Sequence, residues 1–253
     1  SLCSLLLEEG FEVFVLIKEE GPKNILSQNI YKTYGDITNI KDIDRFVQNS
    51  KPDYFVHLAA QTQAFDAVSS PYNTFYINAL GTLNVLESLR EYGGCKAIVI
   101  ASSDKSYGKL SGTEYLEDSR LNGLFPYDAS KAITDILAKS YRETYNLPIA
   151  TTRACNIYGI GDLNLSRLIP GALDSYKSNK SFTIRNSGLD VREYISVEDV
   201  SRAYLSIIRH IEKENLYESF NIGSGDIYST KELFDLINLN LDDKINYSIV
   251  ENK

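Results

Sequence analysis

The sequence predicts an α/β protein, a doubly wound parallel sheet carrying a smaller α/β lobe, on two observations. Apolar runs of strand length at 11–17, 53–58, 97–101 and 149–152 alternate with longer stretches of helical periodicity. Two of these runs lead into small or hydroxyl-bearing residues, Ala59-Ala60 and Ser102-Ser103. Small side chains let backbone approach a ligand at the carboxyl edge of a parallel sheet.

In chain order, residues 1–9 read as a helix through Leu2, Leu5 and Leu6, closed by Gly10 just past its end. A buried strand at 11–17 follows, so the pair looks like the second half of a strand–helix–strand unit. Lys18 ends that strand, and a helix begins near Asp42. Residues 71–92 predict one long helix with Phe75, Leu80, Leu83, Leu86 and Leu89 on its apolar side. The helix that holds Tyr127 runs to Tyr145 and stops before Leu147-Pro148, where the strand at 149–152 takes over. Ser229-Thr230-Lys231-Glu232 opens a later helix with capping chemistry.

Composition narrows the classes. With 253 residues, the chain is long enough for one core and a smaller lobe. A hydrophobic fraction of 43% and a charged fraction of 24% are those of an ordinary globular protein. The net charge of −8 argues against a nucleic-acid partner, although a local basic pocket stays open. No run reaches transmembrane length and no basic segment precedes an apolar stretch with a cleavage site, so no membrane association is expected. Cys3, Cys95 and Cys155 are odd in number and widely spaced, which suits reduced thiols in a cytoplasm. Two histidines, His57 and His210, do not suggest a histidine-rich metal site.

Tyr127 and Lys131 carry the chemistry. Four residues apart on one helix, they face the same way. A nearby ammonium favours the phenolate, so Tyr127 suits the removal of a hydroxyl proton while a hydride leaves the same carbon. The plain alternative is a solvated helix pair.

The flanks enlarge that pair into a pattern. An apolar strand at 97–101 ends in Ser102-Ser103-Asp104-Lys105-Ser106-Tyr107-Gly108, and Tyr-x-x-x-Lys follows. Around it lie Gly35-Asp36-Ile37-Thr38, His57-Leu58-Ala59-Ala60, Asn78-Ala79-Leu80-Gly81-Thr82, Arg153-Ala154-Cys155-Asn156-Ile157-Tyr158-Gly159 and Phe220-Asn221-Ile222-Gly223. In this order the motifs resemble the short-chain dehydrogenase/reductases, in their extended epimerase/dehydratase branch that acts on nucleotide sugars.

The resemblance implies a Rossmann domain at 1–155 plus 190–222 and a substrate lobe at 156–189 plus 223–253. It places a first strand and a Gly-x-x-Gly-x-x-Gly loop ahead of residue 1, and the natural chain is expected to extend both before residue 1 and past residue 253. The implied cofactor is NAD or NADP. An acid at the second strand's end favours the former and a base the latter, so Lys18 leans toward NADP, with a solvated lysine as the alternative. Asp36 and Ile37 would lie near the adenine, with an N-cap as the other reading of Asp36. Leu58, Ala59 and Ala60 would follow the ribose and phosphates, and Ser102, Tyr127, Lys131, Ala154 and Asn156 the nicotinamide side. Asn78, also among the implied cofactor contacts, either hydrogen-bonds near the active-site strand or satisfies buried backbone. His57 reads as a core histidine satisfied by backbone. Gln61, Asn156, Arg167, Arg185 and Arg192 are the implied nucleotide-sugar contacts. The three arginines suit a diphosphate because a guanidinium fork binds phosphate oxygens in pairs. The family also pairs as homodimers through the 71–92 helix and the one bearing Tyr127, with Phe75, Tyr76, Leu83 and Tyr141 as candidate contacts.

Epimerases of this family need only the hydroxyl, tyrosine and lysine. The 4,6-dehydratases keep a further polar pair after the serine, because expelling water across carbons 5 and 6 needs an acid and a base. Here Ser103 is followed by Asp104-Lys105, a form that resembles CDP-glucose 4,6-dehydratases, as do Asn156-Ile157-Tyr158-Gly159-Ile160-Gly161-Asp162, Arg167-Leu168-Ile169-Pro170 and Ile184-Arg185-Asn186. The implied reaction converts an NDP-hexose of the CDP-glucose or GDP-mannose type to its 4-keto-6-deoxy sugar. Ser103, Asp104, Lys105, Tyr127 and Lys131 would be its catalytic residues, and no metal is called for. The alternatives are a nucleotide-sugar 4-epimerase and a non-catalytic protein of this fold; for Asp104-Lys105 the alternative is a turn aspartate beside an exposed lysine.

Overall fold

A computed structural model describes residues 1–18, 29–109, 114–184, 187–214 and 218–250. The chain divides into a larger unit, Leu2–Ala154 with Ser201–Ile222, and a smaller one, Cys155–Val200 with Gly223–Lys253. The larger unit opens with α1 (Leu2–Glu8), β1 (Val13–Ile17), β2 (Ile30–Tyr34), α2 (Ile40–Ser50) and β3 (Tyr54–His57). It continues through α3 (Ala64–Ser69), α4 (Pro71–Phe75), α5 (Gly81–Tyr92), β4 (Ala97–Ala101), α6 (Pro126–Tyr145) and β5 (Ile149–Ala154). The smaller unit takes β6 (Asn156–Tyr158), α7 (Leu168–Lys177), β7 (Phe182–Ile184) and β8 (Val191–Ser196). From Ser201 on, α8 (Val197–Glu214) returns to the larger unit, as does β9 (Ser219–Ile222). Then β10 (Ile227–Ser229), α9 (Thr230–Leu239) and β11 (Tyr247–Ile249) complete the smaller unit.

Every strand pairing in the larger unit is parallel. β1 pairs with β2, and a separate four-stranded sheet runs β3-β4-β5-β9. β4 and β5 are buried along almost their whole length, as strands covered on both faces must be. Ile98, Ile100 and Ile149 meet Ile43 and Val47 of α2 and Val85, Leu86 and Leu89 of α5 in one apolar core. The three- and four-residue spacing of those helical positions is what aims one stripe at the sheet. Asn39 caps α2 by accepting the Lys41 N–H, and Lys51 closes it in the left-handed region at φ 42°.

The predicted helix over 71–92 is continuous but not regular. After α4 the chain widens into a π-helical turn, Tyr76–Leu80, before α5 begins at Gly81. Such turns cluster at functional sites because the extra residue re-aims a side chain, and here the re-aimed residue is Asn78. Gly81 also has a packing reason: a Cβ there would lie 2.5 Å from the Ile37 side chain, so its absence lets Ile37 seat against the helix.

In the smaller unit β8 lies between β10, antiparallel, and β6, parallel. That differs from the expected boundary, which gave 190–200 to the dinucleotide domain, and the reason is strand pairing: both neighbours of β8 lie in the smaller unit. Ala172, Ile184, Phe234 and Ile245 form that unit's own core. Among the described residues, no helix is long and apolar enough to cross a membrane.

Candidate active site

The carboxyl end of β4 delivers Ser102 and Ser103. Ser103 is buried, at 8% exposure, and caps a single 3-10 turn, Asp104–Tyr107. Its Oγ accepts the Lys105 N–H at 3.3 Å and donates to Asp104 Oδ1 at 3.0 Å. The other carboxylate oxygen of Asp104 takes the Lys105 ammonium at 2.7 Å. One carboxylate is thus held between a hydroxyl and an ammonium, each from an adjacent residue.

α6 supplies the tyrosine and the lysine. Pro126 occupies its first turn, where a missing N–H costs nothing. Tyr127 is half-buried, and one turn on the Lys131 side chain is buried at 5% exposure. Its ammonium donates to the Ala101 carbonyl at 2.6 Å, while Ser102 Oγ donates to the Lys131 carbonyl at 3.1 Å, so strand and helix are laced both ways. Burial lowers the Lys131 pKa to about 8 against an opposing pull from Asp135. Asp128, beside Tyr127, is raised above the usual carboxylate range, by burial first, with the Asp104 carboxylate adding to the rise and Lys105 opposing it.

β3 supplies the next edge. Leu58 and Ala59 are exposed at its tip. Gln61 is locked by Asn78, whose Oδ1 accepts the Gln61 N–H at 2.7 Å and whose Nδ2 donates to the Gln61 carbonyl at 3.0 Å. The same Nδ2 donates to Ser130 Oγ at 2.8 Å, and Ser130 in turn donates to the Tyr127 carbonyl at 2.7 Å. The two sequence readings of Asn78 are therefore one: it satisfies buried backbone and thereby ties the β3 tip to α6. Gln61 Oε1 is buried with no partner, the one such side-chain atom among the described residues.

His57 is a core histidine, satisfied by a hydroxyl rather than by backbone. Its Nε2 lies 3.2 Å from Thr82 Oγ1, and Thr82 spends its single hydroxyl proton on the Asn78 carbonyl at 2.6 Å. Nε2 is therefore the donor. Burial, with Lys131 nearby, pushes the His57 pKa down to about 3, so the ring is neutral.

At the end of β1, Lys18 forms an ion pair with Asp36 at 2.9 Å. Asp36 also accepts the Thr38 N–H and hydroxyl at 2.9 Å, while Asn39 caps α2. Burial opposes its ionisation, yet the Thr38 and Lys18 hydrogen bonds hold its pKa below the usual range. Ile37 packs on Gly81.

Ser102, Ser103, Asp104, Lys105, Tyr127, Lys131, Asn78, Gln61, Leu58, Ala59, Ala60 and Ala154, with Lys18, Asp36 and Ile37, all lie in the larger unit. Asn156, Arg167 and Arg192 lie in the smaller one. There Asn156 Nδ2 donates to the Glu193 carbonyl at 3.0 Å, Arg167 pairs with Asp162 at 3.1 Å, and Arg192 Nη1 donates to the Val191 carbonyl at 2.8 Å. Arg185 is outside the described residues. Sequence reasoning missed Ser130, Asp128 and Asp135; the signal for Asp135 was its position four residues after Lys131 on the same helix face.

A family model described as the NAD dependent epimerase/dehydratase family matches residues 1–223. A putative UDP-glucose 4-epimerase of Methanocaldococcus jannaschii is 29% identical over 238 residues, covering 92% of this chain and 75% of the relative. The CDP-glucose 4,6-dehydratase of Salmonella typhimurium is 29% identical over 204 residues, 76% of this chain; the chain spans only 56% of that relative's length. A dTDP-glucose 4,6-dehydratase of Bacillus anthracis, crystallised with NAD, superimposes with a TM-score of 0.86 at 24% identity, over 100% of this chain and 80% of the other, a likeness of fold.

Proposed function

The chain belongs to the NAD-dependent epimerase/dehydratase family, and from that premise we propose that it is a nucleotide-sugar 4,6-dehydratase. Its substrate is an NDP-hexose of the CDP-glucose or GDP-mannose type and its product the 4-keto-6-deoxy sugar and water. The observation that carries the reading is the Asp104 carboxylate, held between Ser103 Oγ at 3.0 Å and the Lys105 ammonium at 2.7 Å on the turn beside Tyr127's helix. An epimerase has no use for a second acid–base pair there; an elimination does.

NAD fits the residues present. The exposed β3 tip at Leu58-Ala59 leaves backbone approachable, and the unpartnered Gln61 Oε1 is an acceptor awaiting a hydroxyl donor. Asp36, expected near the adenine, is paired with Lys18 and so engages the cation that a 2′-phosphate would need, which favours NAD over NADP. When bound, NAD supplies the reversible hydride acceptor that the cycle needs. Tyr127 removes the proton of the carbon 4 hydroxyl, and the buried Lys131 ammonium favours its phenolate. Ser103 orients the same oxygen. Asp104 and Lys105 manage the water loss, in which a proton leaves carbon 5 and another joins the departing carbon 6 hydroxyl. The hydride taken from carbon 4 is then returned to carbon 6 and a proton to carbon 5, so the cofactor ends as it began. Asn156, Arg167, Arg185 and Arg192 are proposed for the nucleotide diphosphate.

The 4-epimerase reading keeps one observation in its favour, the 29% identity to an epimerase over 92% of the chain. Incubation of the full-length protein with NAD and CDP-glucose, GDP-mannose, dTDP-glucose or UDP-GlcNAc, followed by mass spectrometry, separates the two. Loss of one water is the expected result; an unchanged mass with inverted configuration at carbon 4 would replace the dehydratase by the epimerase. We also propose a homodimer, through the exposed apolar residues Phe65, Val68, Tyr72 and Tyr76 rather than through Tyr141, whose hydroxyl donates to Glu87 at 2.9 Å and whose ring packs on the core. A monomer by light scattering at micromolar concentration would refute the dimer.

A further inference from the structure

We propose that the buried Asp135–Arg153 pair, acting through Tyr107, is a positioning device that keeps the Ser103–Lys105 turn in register with Tyr127 and Lys131. The inference rests on the dehydratase reading and deepens it.

Arg153 lies near the end of β5 at 6% exposure, and Asp135 lies on α6 at 3%. All five guanidinium N–H groups are used. Nε spans both Asp135 oxygens at 3.2 Å, and Nη2 donates to Asp135 Oδ1 at 2.9 Å and Ser219 Oγ at 3.2 Å. Nη1 donates to the Tyr107 hydroxyl at 2.7 Å and the Glu117 carbonyl at 2.8 Å. Tyr107, fully buried, passes its own proton to Asn221 Oδ1 at 2.7 Å, stacks on Tyr115 at 4.8 Å and lies under the guanidinium at 4.9 Å. Asn221 then holds the Tyr115 carbonyl at 2.7 Å and Glu117 Oε1 at 3.0 Å.

A buried ion pair roughly breaks even in stability against an apolar replacement, so the information lies in what it connects. Tyr107 is the last residue of the turn that begins with Asp104. Asp135 is one helical turn beyond Lys131 on the helix that starts with Tyr127. One guanidinium thus joins the two halves of the proposed chemistry, neither of which it belongs to. Asp135 has a second effect, since its charge favours the protonated form of Lys131. The other groups facing Lys131 are the neutral His57 on β3, the Ala101 carbonyl on β4 and Tyr127 on its own helix.

The test uses full-length protein and two variants. Tyr107→Phe keeps the ring, the stack and the cation–π contact and removes only the hydroxyl between Arg153 and Asn221. Faster amide hydrogen exchange at 103–108 is expected, with KM unchanged and kcat lower by about 10–100-fold, the sensitivity of positioned groups to small displacements. Asp135→Asn is expected to move the alkaline limb of the kcat profile to lower pH, because Lys131 releases its proton more readily; Asp135→Glu should restore it. Unaltered exchange at 103–108 in Tyr107→Phe, or an Asp135→Asn variant that melts earlier with an unmoved pH profile, would overturn the proposal. If Asp135→Asn does not fold, the Tyr107→Phe exchange decides alone. An epimerised product from the unmodified protein would sink the dehydratase reading while leaving the exchange and pH results to judge the positioning role.

Discussion

Two lysines of the candidate site could hardly differ more. Lys131 is buried at 5% exposure with its ammonium on a backbone carbonyl, while the Lys105 side chain is 37% exposed and paired with its sequence neighbour. Burial disfavours charge, so the first is lowered to about 8. The second keeps water and a carboxylate. The difference teaches that desolvation acts on one lysine and not on the other; under the proposed dehydratase reading, the dry Lys131 tunes Tyr127 and the wet, ion-paired Lys105 works with Asp104. Distance along the chain gives no hint of this, since both lie within one strand–turn–helix passage.

Breaking the dry side is expected to have the largest effect. Tyr127→Phe removes the base and should slow the first oxidation by about 10²–10⁴-fold, read as absent nicotinamide reduction in a single turnover. Asp104→Asn, on the wet side, should leave that oxidation intact and slow water loss by a similar factor of about 10²–10⁴. Normal water loss in Asp104→Asn would remove Asp104 from the acid role and erase the functional half of the contrast.

Stability sharpens the same comparison. The folded pKa of Lys131 is about 8 against 10.5 for the free group. Between those values the unfolded chain binds the extra proton, so stability rises with pH across the window; below it both states are protonated and the burial penalty is fully felt. The alkaline rise owed to Lys131, read as the difference between denaturant melts of the unmodified protein and of Lys131→Met, should reach up to about 3 kcal/mol from pH 8 to 10.5. Burial-raised groups such as Cys95 and Tyr141 pull the other way in both proteins and cancel. A flat difference between the two proteins would mean that Lys131 is not desolvated.

The smallest expected effect is that of Lys105→Met. Its ion pair is partly exposed and screened, so the variant should shift stability by less than about 1 kcal/mol and leave the alkaline rise in place. A loss comparable to that of Lys131→Met would show the two environments to be alike.

Much of this was legible in the sequence. The apolar runs marked β1, β3, β4 and β5, and the four-residue spacing put Tyr127 and Lys131 on one face. The π-helical turn at Tyr76–Leu80 was not legible, because leucine and phenylalanine positions at 71–92 satisfy a regular helix equally well. Nor was the place of β8, since an apolar-polar strand pattern names a buried face and not the neighbour it pairs with.

By itself the sequence determined which faces are buried, where the turns fall and which side chains share a helix face, because periodicity is a local property of the chain. Only the tertiary structure decided the state of Lys131, the locking of Gln61 by Asn78 across 17 residues, and the meeting of Arg153 with Tyr107 across 46 and with Ser219 across 66. Those depend on which strands lie side by side and how much water they exclude, and desolvation and long-range hydrogen bonding are properties of the packed molecule that no local pattern encodes.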